Sequence, residues 1–401
     1  MFKTILCTLF FLLPLLSFAQ TGCTDPQASN YDAAATENDG SCLYATTNYA
    51  LTSVAIMPDL LEETSGLTFF DNTLWTHTDA AGEDKLYRID TLTAEVTKEV
   101  IIATADNHDW EELAQSDTHV FIGDFGNNDG DRTDLRIFKV KKSDLNNETV
   151  VNADVINFSY ADQTDFTPMN NANNFDCEAF FWLNGELHLF TKNWVDFQSR
   201  HYILPDVPGN YEAEPVNEFA ANCLVTGASV DEEGTIALLG YTVAGSNIMW
   251  LFFDYPADDV LGGNKRRINL GSAINNSQTE GIVFSGRGRG FISAEEFSAL
   301  PPRLLKFTTS QWTDNVTSSA DNGLQTVDFQ ISPNPAGDFL LLKTQHSPEK
   351  IEILNAQGFP VFFRPHPPAE SRISTNYLPS GFYFVKVYGK EGYGLQKIII
   401  N

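Results

Sequence analysis

The sequence predicts an all-β protein, a five- or six-bladed β-propeller followed by a small C-terminal β-sandwich of the immunoglobulin-like type. Two observations predict it: a degenerate repeat of paired strands in the middle of the chain, and a terminal segment of short apolar strands separated by Gly, Pro and Asn. The predicted domains are a signal peptide at 1–19, a disulfide-closed acidic module at 20–44, the propeller at 45–312, a linker at 313–328 and the terminal domain at 329–401.

Residues 1–19 have the pattern of a signal peptide. Lys3 supplies a positive charge, an apolar run extends from Ile5 to Leu16, and Ser17-Phe18-Ala19 is a small-x-small cleavage site. The apolar run is too short to span a bilayer comfortably, and no later segment reaches about eighteen uninterrupted apolar residues. We therefore expect an exported chain without a transmembrane segment.

The sequence contains five cysteines, of which Cys7 is removed with the signal peptide. Because the exported chain enters an oxidising compartment, the remaining four can form disulfides. Cys23 and Cys42 are predicted to form a disulfide that closes a polar loop of about twenty residues, worth roughly 3 kcal/mol in the chain-entropy model. For Cys177 and Cys223 the sequence leaves two possibilities open, a second disulfide or two buried thiols.

The loop between Cys23 and Cys42 is rich in hard oxygen ligands of the type that calcium prefers, although the spacing is not that of an EF-hand. Two interpretations remain open, a calcium site and a polar spacer held by the disulfide. The candidate ligands are Asp25, Asn30, Asp32 and Asp39.

The middle of the chain repeats a unit of two strands and a polar turn about every 45 to 70 residues, the period of propeller blades with about four strands. Residues 50–56 are expected to supply a strand that closes the ring with the last blade. The first strands of the five units begin Ser65-Gly66-Leu67, Glu111-Glu112-Leu113, Glu178-Ala179-Phe180, Thr226-Gly227-Ala228 and Glu280-Gly281-Ile282.

Glu111, Glu178 and Glu280 occupy one equivalent position near the start of the first strand, which lines the central channel of a propeller. Carboxylates brought together there would repel one another unless they shared a cation or protons. We therefore expect a metal or substrate site at one end of the channel, with calcium as the cation. In the alternative interpretation, the three carboxylates accept backbone N–H groups of neighbouring blades. Further candidates for this site follow the second strand of each unit: His77, Asp79, Asp124, Lys192, Tyr241 and Glu295.

The net charge of −28 argues against nucleic acids and anionic membranes as partners. Catalytic signatures are also missing from the sequence. It contains no Gly-x-Ser-x-Gly, no His-Glu-x-x-His, no phosphate-binding glycine loop and no Cys-x-x-Cys.

The C-terminal segment carries four motifs in a characteristic order. Their residues are Pro333, Asn334 and Pro335, then Gly358, then Gly381 and Tyr383, and finally Lys397. These motifs resemble the type A C-terminal sorting domain of the type IX secretion system, found on cargo proteins of Gram-negative bacteria. The resemblance implies that the secretion machinery is a partner and that the protein is secreted or held on the outer cell surface.

Two further segments carry resemblances. The module at 20–44 is similar to a short acidic module of the same class of secreted proteins. The propeller segments Asp109–Leu113, Gly123–Asn128, Val225–Ala228 and Thr279–Ile282 resemble largely uncharacterised secreted bacterial propellers and, more distantly, calcium-dependent lactonase and phytase-like propellers. The distant resemblance implies Glu280 as a metal ligand.

Two functions follow from these features. The propeller is predicted to be an extracellular binding module for a glycan, a peptide or a protein. The alternative is a calcium-dependent lactonase, esterase or phytase-like hydrolase with a carboxylate-lined channel. The missing nucleophile motif favours the binding module.

Overall fold

The computed structural model describes residues 20–79, 81–257, 259–295, 300–313, 327–355, 360–365, 367–376, 378–389 and 393–401. The predicted signal peptide, most of the predicted linker and Gly358 lie outside these residues. The chain divides into two compact units, one up to Val316 and the other from Thr317 onward. Among the described helices, none is both long and apolar enough to cross a membrane.

The first unit opens with a small module closed by the predicted disulfide between Cys23 and Cys42, which the structure confirms. Cys177 and Cys223 are free and buried, so they do not form a second disulfide. The elements of this segment are β1 (Thr21–Gly22), β2 (Glu37–Asn38), β3 (Thr47–Asn48), β4 (Thr52–Ile56) and a 3-10 helix at Asp59–Leu61.

The first two blades of the propeller are antiparallel sheets of four strands, each with a short parallel strand added at its outer edge. Blade 1 contains β5 (Thr64–Phe70), β6 (Thr73–Thr78), β7 (Lys85–Ile89) and β8 (Val96–Ile102). Blade 2 contains β9 (Trp110–Gln115), β10 (His119–Asp124), β11 (Arg136–Lys141) and β13 (Asp154–Tyr160). Helix α1 (Lys142–Asn147) and strand β12 (Val150–Val151) lie between β11 and β13 in the chain. Strand β12 extends blade 1 beside β8.

Three further blades complete the ring. Blade 3 contains β14 (Cys177–Leu183), β15 (Glu186–Thr191), β16 (Ser199–Pro205) and, after β17 (Gly209–Ala213), β18 (Pro215–Phe219). Blade 4 contains β19 (Leu224–Val230), β20 (Ile236–Tyr241), β21 (Ser246–Phe253) and β22 (Asn264–Ser272), and helix α2 (Ala273–Asn276) follows it. Blade 5 contains β23 (Gln278–Gly286), β24 (Arg289–Glu295) and β25 (Arg303–Thr308), and helix α3 (Ser310–Thr313) follows it. Strand β17 extends blade 2 and β3 extends blade 4.

The inner strands β5, β9, β14, β19 and β23 form a closed ring, in which each contacts the next and β23 contacts β5. Strand β4 completes blade 5 by pairing antiparallel with β25, as the sequence predicted for residues 50–56. The described chain therefore forms a five-bladed propeller, which decides between the five and six blades left open above.

Apolar faces of neighbouring sheets hold the ring together. Each of five buried clusters joins two adjacent blades, because side chains of a strand alternate between the two faces of its sheet. Trp75 of blade 1 packs with Phe138 of blade 2, for example, and Leu67 of blade 1 packs with Val283 of blade 5. Burying each large side chain contributes roughly 1.5–3 kcal/mol, so every blade depends on both of its neighbours.

The second unit is a sandwich of two sheets, one of three strands and one of four. Alternate residues of its strands, such as Ile351 and Ile353, point into a core shared by both sheets. The strands are β26 (Phe329–Ser332), β27 (Phe339–Thr344), β28 (Lys350–Leu354), β29 (Pro360–Pro365), β30 (Glu370–Ser374), β31 (Gly381–Tyr388) and β32 (Tyr393–Ile400).

The motif residues of this unit connect its first segment to its last strand. The Asn334 side chain accepts a hydrogen bond from the Ile399 N–H at 2.9 Å and donates one to the Lys397 carbonyl at 3.1 Å. The Tyr383 hydroxyl donates to the Pro379 carbonyl at 2.8 Å. These contacts give the motif order a physical basis, because the motif at the start is hydrogen-bonded to the strand at the end.

Candidate functional site

A cavity of about 120 Å³ lies at the end of the propeller channel where the inner strands begin, which we call the channel mouth. Its walls come from the first residues of inner strands and from the last residues of the second strands, so several blades contribute to it. Acidic groups dominate, and Lys192 is the single Lys or Arg among the described residues that line the cavity. The cavity is lined by Glu63, Ser65, Asp79, Glu111, Asn128, Glu178, Lys192, Gln278, Glu280 and Glu295.

A bulge at the start of every inner strand directs side chains to the channel mouth. Each inner strand has one more residue than the second strand of its blade at this point, and such bulges re-aim the side chain of the extra residue. The bulges fall at Ser65, Glu111, Glu178, Thr226 and Glu280. The five positions that appear equivalent in the sequence are therefore equivalent in the structure.

Two carboxylates that the sequence analysis did not assign to the site join it. Asp109 and Asp176 each stand two residues before a bulge glutamate, on the same face of the chain. The signal was present in the sequence as Asp-x-Glu in blades 2 and 3. Blade 5 has Gln278 at the same spacing.

The carboxylates of the mouth form two groups that share Glu111. Ligand oxygens of Asp79, Asp109 and Glu111 lie within 4.8 Å of one another, and so do those of Glu111, Asp176 and Glu178. Glu111 is only 6% exposed, and among the described residues no hydrogen bond reaches its carboxylate. Burial and then the negative charge of Glu178 raise the pKa of Glu111 well above its ordinary value.

Asp79 and Asp109 lie close enough to influence each other's pKa. Burial raises the pKa of Asp79 to about 6, and burial together with the charge of Asp79 raises the pKa of Asp109 to about 8. The two residues come from blade 1 and from the connection between blades 1 and 2. Their arrangement is that of groups which need a proton or a cation between them.

Gly126 has no side chain, and the carboxylates of Glu111 and Asp109 occupy the space that a side chain at this position would need. A Cβ at this position would lie 2.1 Å from Glu111 Oε1 and 2.4 Å from Asp109 Oδ2. The backbone of the loop after β10 thus approaches both carboxylates as closely as only glycine allows.

The second group already has a cation. Lys192 Nζ lies 2.6 Å from Glu178 Oε1, and it faces the rings of Trp194 at 4.8 Å and Tyr241 at 5.4 Å. Burial would lower the pKa of Lys192, but Glu178 and the other nearby acidic groups raise it well above its ordinary value.

Asp176 has its own donors. Its carboxylate accepts hydrogen bonds from the Asn127 N–H at 2.6 Å and the Trp194 Nε1–H at 2.8 Å. Together with the ion pair of Lys192, these bonds give Asp176 and Glu178 partners within the protein.

Glu280 and Glu295 face each other on the blade 5 side of the mouth. Gln278 Nε2 donates to an oxygen of each at 2.6 Å. Burial and then the charge of Glu280 raise the pKa of Glu295 to about 9. The three predicted glutamates thus have different surroundings: Glu178 is paired with Lys192, Glu280 contacts Gln278, and Glu111 has no such partner among the described residues.

Glu112, the neighbour of Glu111, lies deeper in the channel and is fully buried. Its carboxylate accepts four backbone N–H groups from four blades. The donors are Leu67 at 2.8 Å, Leu113 at 2.9 Å, Ala228 at 3.2 Å and Ile282 at 3.4 Å. The backbone-binding role considered above for Glu111, Glu178 and Glu280 is therefore performed by Glu112.

Two of the predicted mouth residues have structural roles away from the cavity. His77 is fully buried, with Nε2 accepting from the Gly66 N–H at 3.2 Å and Nδ1 bonded to the Thr78 carbonyl at 3.1 Å. Burial lowers its pKa to about 4, so the imidazole is neutral. Asp124 forms ion pairs with Arg132 at 3.0 Å and Arg136 at 2.7 Å.

The four oxygen ligands proposed in the N-terminal module are engaged in local turns, and among the described residues they do not form a cluster of the kind found at the mouth. Calcium binding by this module stays a prediction. Asp25 accepts from the Gln27 N–H and the Tyr44 hydroxyl, Asn30 from the Leu43 N–H, Asp32 from the Ala34 N–H and Asp39 from the Ser41 N–H.

Comparison with known families identifies the C-terminal unit. Residues 330–401 match the family of secretion system C-terminal sorting domains. The chain thus carries a type IX secretion signal and is a secreted or outer-surface protein. No curated protein matches the chain.

Several solved structures share a remote similarity with it. One is PorZ, a surface component of the type IX secretion system of Porphyromonas gingivalis, at 14% identity and a TM-score of 0.30; 84% of this chain is covered, but only 45% of that one. An exo-β-1,3-galactanase of Phanerochaete chrysosporium aligns at 12% identity and a TM-score of 0.40, covering 87% of this chain and 99% of that one. A gluconolactonase of Xanthomonas campestris aligns at 11% identity and a TM-score of 0.36, covering 66% of this chain and 87% of that one. None of these similarities assigns a function to this chain.

Proposed function

We propose that this secreted propeller is an extracellular binding module whose channel mouth holds a divalent cation between Asp79, Asp109 and Glu111. The observation that carries the proposal is Glu111. The residue is only 6% exposed, its carboxylate faces the cavity among other carboxylates, and no hydrogen bond reaches that carboxylate among the described residues. A buried carboxylate in this position is costly unless a cation or a proton compensates it.

The same reasoning favours one group of carboxylates over the other. Lys192 already supplies a positive charge to Glu178, and Asp176 has two donors of its own. Among the described residues, the group of Asp79, Asp109 and Glu111 has no ion pair of its own, because Arg132 is paired with Asp124 and Asp134 and Lys192 is paired with Glu178. The expected site therefore retains Glu111 from the sequence prediction and replaces Glu178 and Glu280 by Asp79 and Asp109.

The donor set favours calcium. The lining residues of the cavity offer carboxylate, amide and hydroxyl oxygens, with no histidine or cysteine among them. Oxygen-only sites suit hard cations such as Ca²⁺, whereas zinc and copper sites use imidazole or thiolate. Gly126 is compatible with this site, because only a glycine lets the loop backbone lie so close to Glu111 and Asp109.

The size of the cavity supports binding rather than turnover of a large substrate. At about 120 Å³ it is well below the roughly 300–1,000 Å³ of typical small-molecule pockets. It admits an ion with a few waters, or the tip of one side chain. A bound cation would neutralise the converging carboxylates and attract oxygen atoms of a ligand on the outer side of the mouth.

Calcium titration by calorimetry tests the proposal on the full chain. The variant Asp79→Asn, Asp109→Asn, Glu111→Gln should lose the binding event. The matched variant Glu280→Gln, Glu295→Gln, which changes the opposite wall of the cavity, should retain it. Any contribution of the N-terminal module is the same in both and is subtracted. Equal binding by both variants would overturn the assignment.

Wild-type protein should also gain stability with calcium, by about 2.7 kcal/mol at a concentration one hundred times the Kd. Activity assays on the same proteins decide between the two functions left open by the sequence. If wild type hydrolyses a lactone, ester or phosphoester in the presence of calcium, and the variant Asp79→Asn, Asp109→Asn, Glu111→Gln does not, the protein is a hydrolase and not a binding module.

A further inference from the structure

We propose that the loops around the channel mouth form a docking face for a basic polypeptide with aliphatic side chains. The inference deepens the proposed function, on which it rests for the role of the mouth as a cation-binding centre. Its own support comes from the loops, their exposed side chains and their charge.

The topology places these loops on one face. Strands within a blade are antiparallel, so the turns from second to third strands and the connections between blades lie at the end where inner strands begin. We call the described parts of these segments the mouth loops. They are residues 57–63, 79–84, 103–109, 125–135, 161–176, 192–198, 220–223, 242–245 and 273–277.

Large apolar side chains are exposed on the mouth loops from several directions around the channel. Val243 is 77% exposed and Ile274 is 72% exposed, although both belong to residue types that are usually buried. At the opposite end of the blades, the turns expose Leu92 and Val207. The set on the mouth loops is Leu60, Phe166, Met169, Val195, Val243 and Ile274.

The chemistry of this set indicates a polypeptide. When a partner binds, modest apolar contacts around a polar centre exclude water from that centre. Five of the six side chains are aliphatic, so they suit packing against other aliphatic side chains more than stacking against flat rings. The central cavity is too small for a sugar ring to enter.

The charges of the mouth loops indicate that the partner is basic. Lys and Arg occur in the described mouth loops only at Arg132 and Lys192, and both are used in ion pairs with acidic groups of the propeller. Acidic residues occur in most of these loops, and Glu63 lines the cavity beside the proposed cation. A positively charged partner would be attracted to this face and oriented on it.

In the proposed complex, a basic side chain of the partner lies at the rim of the mouth, near Glu63 and the acidic residues of the mouth loops. Aliphatic side chains of the partner cover Leu60, Val195, Val243 and Ile274. Contacts of this kind exclude water from the central ion pair, which strengthens it.

The test measures binding of a short peptide of alternating Leu and Lys by biolayer interferometry. The mouth variant Leu60→Ser, Val195→Ser, Val243→Ser, Ile274→Ser should weaken binding by at least about tenfold. The matched variant Leu92→Ser, Val207→Ser should bind as the wild type does. A peptide of alternating Ser and Lys, with the same charge, should bind all three proteins weakly and alike.

Three results would overturn the proposal: no binding of the Leu–Lys peptide to wild type, an equal loss in both variants, or equal affinity for the two peptides. Sedimentation experiments test one further outcome. If wild type dimerises and the mouth variant does not, the docking face binds a second copy of this chain and not a basic polypeptide. All substituted residues are exposed, and melting temperatures check that each variant folds. Calcium titration of the mouth variant separates the two proposals, since the docking face can fail while calcium binding persists, or the reverse.

Discussion

The mouth and the middle of the propeller channel use neighbouring glutamates of β9 in opposite ways. In the middle, Glu112 binds four backbone N–H groups and connects four blades. At the mouth, Glu111 lies among carboxylates without a hydrogen bond among the described residues. The comparison teaches that burial alone does not make a carboxylate functional, because the supply of donors around it decides its role.

The largest effect on the free energy of unfolding is expected when Glu112, the carboxylate in the middle of the channel, is removed. Glu112→Ala leaves four N–H groups buried without acceptors, at roughly 1–3 kcal/mol each, so the free energy of unfolding should fall by at least about 4 kcal/mol. Urea denaturation without calcium measures it. Glu111→Ala should cost far less, since it removes a repelling charge. Similar losses for the two variants would remove the distinction between mouth and middle.

A smaller effect is expected from pH. The pKa of Glu295 is raised to about 9 by burial and by Glu280, so the folded protein holds a proton that the unfolded chain releases. This contribution to stability is complete near pH 4 and is lost as the pH rises through about 9. Each pKa unit corresponds to about 1.4 kcal/mol, divided among the coupled carboxyls.

Denaturation curves from pH 4 to pH 9 in a chelator measure this dependence. Glu295→Gln should flatten it, whereas Glu186→Gln, an exposed change at the opposite end of its blade, should leave it as in the wild type. A profile unaffected by Glu295→Gln would contradict the assignment of the proton to the mouth.

Gly126→Ala tests the geometry of the mouth without changing its charge. The added methyl group displaces the ends of the Glu111 and Asp109 side chains, which are flexible enough for the fold to survive. Calcium affinity should fall about tenfold, or about 1.4 kcal/mol, with a smaller change in stability in the absence of calcium. Gly337→Ala, placed in open space in the other unit, is the control. Unchanged affinity would show that the cation does not contact these carboxylates.

The smallest effects are expected where a hydroxyl occupies the bulge position. Ser65 donates to the Glu111 carbonyl, and Thr226 Oγ1 donates to the Thr279 carbonyl at 2.9 Å. Ser65→Ala and Thr226→Val should each lower the free energy of unfolding by about 1 kcal/mol and leave calcium affinity unchanged. A change in calcium affinity would extend the cation site to the remaining blades.

The sequence predicted the all-β fold, the repeat and the closing strand because these depend on local patterns. Alternating apolar residues and Asn-Gly turns identify strands, and the bulge glutamates recur at a regular place in the repeat. It could not decide between five and six blades, since the third and fourth strands vary too much in spacing. The sorting motifs were readable because each is a short, ordered string of residues.

The partition of the site was harder to predict. Glu111 and Glu112 are adjacent and identical in type, and only the bulge in β9 decides which of them meets the backbone of other blades. His77 and Asp124 follow the correct strands, yet their partners, Gly66 and Arg136, come from pairing that the sequence does not state. Asp109 and Asp176 were visible as Asp-x-Glu, a spacing that becomes meaningful once the strand face is known.

The pairing of β4 with β25 gives the last blade strands from both ends of the propeller segment. A linear array of repeats has two terminal units, which fray more readily than those between them. In this ring each blade has two neighbours, so no unit is terminal and no edge offers a starting point for fraying. Amide hydrogens of the inner strands should accordingly exchange at similar rates in all five blades, through one cooperative opening of the whole ring.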